Sequence, residues 1–132
     1  RIVATPGASK EVAGKAYCNL GVLHAGSDKE VEYYERSLEL APDRFPSIYS
    51  LACAYASQQK WDPAVTAFRK AIEVADDGSD DEKQALANLY RVTMAKLQQE
   101  NPSGVSSRED MMKLFVNVMG EENFQKLSAS RQ

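Results

Sequence analysis

Two stretches of this chain repeat one another at a distance of 34 residues. Residues 30–42 read EVEYYERSLELAP, and residues 64–76 read AVTAFRKAIEVAD. Across that shift Val31 matches Val65, Glu39 matches Glu73 and Ala41 matches Ala75, while Tyr34 answers Phe68, Leu38 answers Ile72 and Leu40 answers Val74. The segments ahead share a second template of large residue, small residue, two spacers and ring: Leu20-Gly21-x-x-His24, Leu51-Ala52-x-x-Tyr55 and Leu86-Ala87-x-x-Tyr90. A helix-pair unit of this size cannot bury both of its apolar faces alone, so it has to stack on its neighbours. Within a pair, a small residue lets two backbones approach and a large one opposite fills the gap. Gly21 and Ala52 are expected at such contacts, with Ala64 and Ala71 closing the second pair. The alternation is a packing device, and no cofactor is expected to need it.

Punctuation agrees with this division. Ser27-Asp28-Lys29-Glu30 has the form of a capping box that opens a second helix, with Gly26 ending the first. Asp62-Pro63 reads as an N-cap followed by proline at the first helical position. The acidic run 76–82 ends one helix and starts another, where carboxylates favour the helix dipole. It lacks the alternating ligands and distal Glu of an EF-hand, so no metal site is expected. A longer helix is predicted over 81–99, stopped by Asn101-Pro102-Ser103-Gly104. A further one runs from Ser107 or Arg108 to Met119, with Met111, Leu114, Phe115, Val118 and Met119 on one apolar face and Met112 and Val116 widening it. Gly120 ends it, and a short final helix is predicted over 121–127.

The residues Leu51, Ala52, Tyr55, Trp61, Ala64, Phe68 and Ala71 stand at the spacing of the tetratricopeptide repeat family, which the chain resembles most strongly over 47–75. A first repeat over 12–42 keeps Tyr17, Leu20, Gly21, Tyr34 and Pro42, with a connection three residues short and Glu30 at a position where a small residue is usual. The second is expected over 43–76. A degenerate third unit with capping helices would occupy 80–128. The resemblance implies an all-α fold, a right-handed α-solenoid of antiparallel helix pairs with six to seven helices, forming one domain over residues 1–132.

Composition narrows the function. The chain has 132 residues, 43% hydrophobic and 27% charged, which is ordinary for a globular protein. A net charge of −3 argues against nucleic acid, which favours a basic face. No apolar run nears the roughly 18 residues of a membrane span, and no signal pattern opens the sequence. The start at Arg1 points to a piece of something longer. Cys18 and Cys53, the two cysteines, read as reduced packed thiols, with a disulfide between neighbouring helices as the alternative, and an intracellular, cytoplasmic setting is expected. His24, the single histidine, occupies a packing position; no phosphate loop, serine elbow or metal-ligand pair accompanies it. The chain is not expected to be an enzyme.

What the resemblance implies is binding. First helices of successive repeats line a concave groove that holds a peptide or helix of a partner protein. By register the groove would be lined by Lys15 and Asn19 (with Cys18 and Val22), by Tyr49, Ser50 and Cys53 (with Ser57), and by Asn88 and Arg91 (with Gln84). Amides suit this because each both donates to and accepts from a peptide backbone. The two-carboxylate clamp by which some members hold chaperone tails is missing, since its positions carry Cys18, Val22, Ser50, Asp81 and Ala85. An alternative is self-association through Met111, Phe115 and Val118, or through an end of the solenoid left without a neighbour.

Overall fold

The computed structural model describes residues 6–130. Seven helices follow one another there: α1 (Pro6–Leu23), α2 (Lys29–Leu40), α3 (Phe45–Ser57), α4 (Trp61–Val74), α5 (Asp80–Glu100), α6 (Arg108–Met119) and α7 (Glu121–Ser130). No strand occurs among the described residues. Each helix packs on the next, and α1 also meets α3, α4 meets α6 and α5 meets α7. The result is an all-α solenoid.

The small-against-large contacts fall where the repeat places them. A Cβ on Gly21 would lie 2.4 Å from the ring of Tyr34, so only glycine lets α1 approach α2 this closely. Ala52, Ala64 and Ala71 are fully buried around Phe68. The third template is shifted by one residue: α5 buries Ala85, Leu86 and Leu89, while Ala87 is exposed and Tyr90 turns aside to stack on Phe115 at 5.3 Å. One residue of register rotates a helix face by about 100°. The shift puts the small Ala85 into the core shared with α4 and turns Tyr90 toward α6.

Two helix starts also differ from expectation. The box at Ser27 is displaced: α2 begins at Lys29, Ser27 Oγ accepts from the Lys29 N–H at 3.3 Å, and Glu30 reaches past Ser27 to accept from the Gly26 N–H at 3.1 Å. The sequence Gly-Ser-Asp-x-Glu recurs at 78–82 with the same glutamate-to-glycine bond and a serine that does cap its helix. There Glu82 accepts from the Gly78 N–H at 3.1 Å, and Ser79 caps the Glu82 N–H at 3.1 Å. Both glycines have positive φ, 84° at Gly26 and 74° at Gly78, which bends the chain so that its N–H meets the carboxylate. Asp62 is no N-cap. The helix α4 starts two residues earlier than Pro63, at Trp61, and the Asp62 carboxylate pairs with Lys96 of α5 at 2.8 Å.

Buried polar groups tie the repeats together. Ser37 Oγ donates to the Gly14 carbonyl at 2.6 Å and meets Ser47 Oγ at 2.6 Å, linking α1, α2 and α3 inside the core. At the other end Lys126 of α7 reaches Glu82 at 2.9 Å, beside Asp77 and Glu122. Burial alone would raise the Glu82 carboxyl, but hydrogen bonds from Lys126 and the Gly78 N–H outweigh it and hold the group below its ordinary value. A depressed carboxyl stabilises the fold above its unfolded value of 4.5, and that contribution disappears as pH falls through the folded value. Lys126→Met is therefore expected to lower the urea midpoint at pH 7 by more than it does at pH 3. An equal deficit at both pH values would show that the ion pair contributes nothing.

The apolar face of α6 turns inward. Phe115 and Met119 are buried in the core with Leu86, Leu89 and Val92, and Met111, Leu114 and Val118 pack at its edge. Phe115 is thus not available to a second copy without opening this chain, which corrects the expectation that it takes part in self-association. Among the described residues no helix is long and apolar enough to cross a membrane.

Candidate interaction groove

Helices α1, α3 and α5 carry the residues expected to line a groove. Tyr49 is central to them. Its ring stacks on Phe45 of the same helix at 5.6 Å and meets Phe68 of α4 edge-on at 5.8 Å, so α4 fixes where it points. Its hydroxyl accepts a 2.6 Å hydrogen bond from the Asn88 side-chain amide of α5, and that amide also donates to the Gln84 carbonyl at 3.0 Å. Both amide donors are thereby used, leaving the Asn88 side-chain oxygen to accept.

Burial pushes the Tyr49 hydroxyl above its ordinary value despite Arg91, whose charge acts in the other direction. Burial likewise pushes up the thiol of Cys53, although the neighbouring Tyr49 hydroxyl acts in the other direction. Both groups are neutral at physiological pH, and Cys53 is a poor nucleophile there. Charge along this face comes from the exposed Lys15 and Arg91.

The structure thus brings Tyr49, Cys53, Asn88 and Arg91 into one cluster. Ser50 lies half-buried on α3, on the side of the Tyr34 hydroxyl. Lys15 and Asn19 are exposed on α1. Val22 and Gln84 are exposed too, and the Ser57 hydroxyl bonds back to the Ala54 carbonyl. Cys18 does not line a groove: it is buried with Tyr34, Leu51 and Ala54, because α1 turns that side onto the neighbouring repeat. Both cysteines are free thiols. His24 packs on Tyr33 at 5.1 Å, with Nδ1 2.9 Å from the Leu20 carbonyl, in the packing role its position implies.

The Tyr49–Asn88 bond is not visible in the sequence, since 39 residues separate its ends. A cavity of about 710 Å³ lies elsewhere, between α4 and the start of α7. Cations (Arg69, Lys70, Lys126) and acidic side chains share its walls. Lys70 and Lys126 already pair within the chain, so this cavity presents no coherent charge to a ligand. Among the described residues no cluster of His, Cys, Asp and Glu could hold a metal ion.

Fold and surface together define a helical-repeat protein. Residues 45–77, about a quarter of the chain, match the family model of the tetratricopeptide repeat. That supports the resemblance carried by Leu51, Ala52, Tyr55, Ala64, Phe68 and Ala71, and repeats of this kind serve in general as non-catalytic protein-interaction units. Comparison with curated proteins and with solved structures returned no match.

Proposed function

We propose that this chain is a protein-interaction module of an adaptor or scaffold, in which the first helices of three stacked units (12–42, 43–76 and 80–128) hold a peptide or helix of a partner protein. The observation that carries this reading is the Tyr49–Asn88 bond. It joins the first helices of two successive units, with Cys53 and Arg91 near the Tyr49 hydroxyl. Preformed donors and an aromatic face set on rigid helices bind at little ordering cost. The module works by positioning, without chemistry of its own.

The test is a pull-down from cell lysate read by mass spectrometry, comparing the unaltered chain with Lys15→Glu/Asn19→Glu/Arg91→Glu. All three side chains are exposed, so circular dichroism should stay unchanged. Partners that vanish with the triple substitution and persist with the control Met112→Glu on α6 support the groove. Partners retained by the triple variant place binding elsewhere.

A further inference from the structure

The helix α1 carries a bare copy of an interface that the chain builds twice within itself. Aligning Gly21 with Ala52 sets Ala16, Leu20 and Leu23 of α1 against Ser47, Leu51 and Ala54 of α3. On α3 these positions are covered by α2: Leu51 is 9% exposed and Ala54 2%, in one cluster with Val31, Tyr34 and Leu38. On α1 the same face is open. Leu20 is 36% exposed, Leu23 79%, and Val12 on the same stripe 49%.

The covering side repeats as well. Val31, Tyr34 and Leu38 of α2 correspond to Val65, Phe68 and Ile72 of α4, which share a core with Ala85, Leu86 and Leu89 of α5. Each covering helix thus presents one stripe: Val, an aromatic residue three positions on, then Leu or Ile four further on. The opposite end of the solenoid is closed. There α7 lies on α5 and α6, packing Phe124 and Leu127 inward and exposing Glu121, Glu122 and Gln125. A polar outer face is what a terminal cap of a stacked array needs. The outer face of α1, with Leu23 almost bare, is built like an internal position instead.

We propose that the face formed by Val12, Ala16, Leu20 and Leu23 is a docking surface for the second helix of another helix hairpin, one that presents Val, an aromatic residue and Leu or Ile at the spacing of α2 and α4. This continues the interface between repeats beyond α1, on the face that adjoins the groove residues Lys15 and Asn19.

Two probes test it on the full chain. A duplicate of residues 12–42 inserted directly ahead of Val12 keeps the 31-residue spacing that separates Gly21 from Ala52. Its second helix should dock on the resident α1 and slow hydrogen exchange there by about tenfold or more. The pair Leu20→Glu/Leu23→Glu in the resident α1 should abolish that protection, and both positions are exposed enough for the chain to fold without the duplicate. The second probe acts in trans: a hydrocarbon-stapled helix of residues 28–41, followed by fluorescence anisotropy, should bind saturably to the unaltered chain and not to the double variant. Absence of both effects overturns the proposal. So does a chain that doubles in mass with concentration in light scattering and reverts to monomer with Leu20→Glu, because a second copy is then the occupant.

Discussion

Phe68→Ala is expected to cost about 3–5 kcal/mol of folding stability, seen as a large fall in the urea midpoint. The ring is 1% exposed in the core that α4 shares with α3 and α5, so its removal leaves a cavity that rigid helices cannot close. Domains of this size have about 5–15 kcal/mol in total, so the variant would sit near the edge of folding. The substitution also removes the edge-on partner of Tyr49. Even where the helices persist, Tyr49 should gain mobility and its bond to Asn88 should weaken. Phe68→Leu keeps most of the volume and is expected to lose well under half as much. Equal losses in the two variants would show that aromatic geometry matters here and volume does not.

Gly21→Ala separates two effects of opposite sign. Helix propensity alone favours alanine by about 1 kcal/mol in a helix interior. Against it stands a methyl group 2.4 Å from the Tyr34 ring. That ring has little room to move, since it is 3% exposed and its hydroxyl donates to Glu30 at 3.2 Å. Burial, with the adjacent Glu30 carboxylate, also pushes this hydroxyl up to about 12, so it stays protonated and keeps its bond. Overpacking of this kind costs about 1–3 kcal/mol, and the clash should win. Tyr34→Leu in the same background should recover part of the loss, because the two changes share one contact. A stabilised Gly21→Ala protein would mean that α1 and α2 shift apart easily.

Several elements were legible before any coordinates. The boundaries of α5, α6 and α7 follow from a proline-glycine stop, a serine cap and the terminal Gly120, each of which acts on its own few residues. The helix-pair period was legible because close backbone approach demands particular side-chain sizes at particular positions, and size can be read in a string of letters. Glu30 shows the limit. It is a charged residue where a small one is usual; the capping-box pattern announces its reach back to a backbone N–H, but nothing near it in sequence announces that Tyr34 also donates to its carboxylate in the interior.

The one-residue shift of the third unit has a similar origin. Leu86-Ala87-x-x-Tyr90 and Ala85-Leu86-x-x-Leu89 are both acceptable helix faces, and the choice between them rests on which fits α4 and α6 together. The candidate groove divides in the same way. Register along the chain assigned Lys15, Asn19, Tyr49 and Arg91 to first helices. Only packing decided that Cys18 turns inward and that Asn88 spends its amide on Tyr49.

Sequence by itself determined the period, the helices and the pairs of small and large residues that join them, because these depend on spacings of three, four and 34 residues. Tertiary structure decided which faces of those helices remain uncovered. The stripe on α1 that ends at Leu23 is apolar in the same way as the stripe of α3 that ends at Ala54. A helix lies over one and not over the other, and burial of a side chain is a property of its neighbours in space.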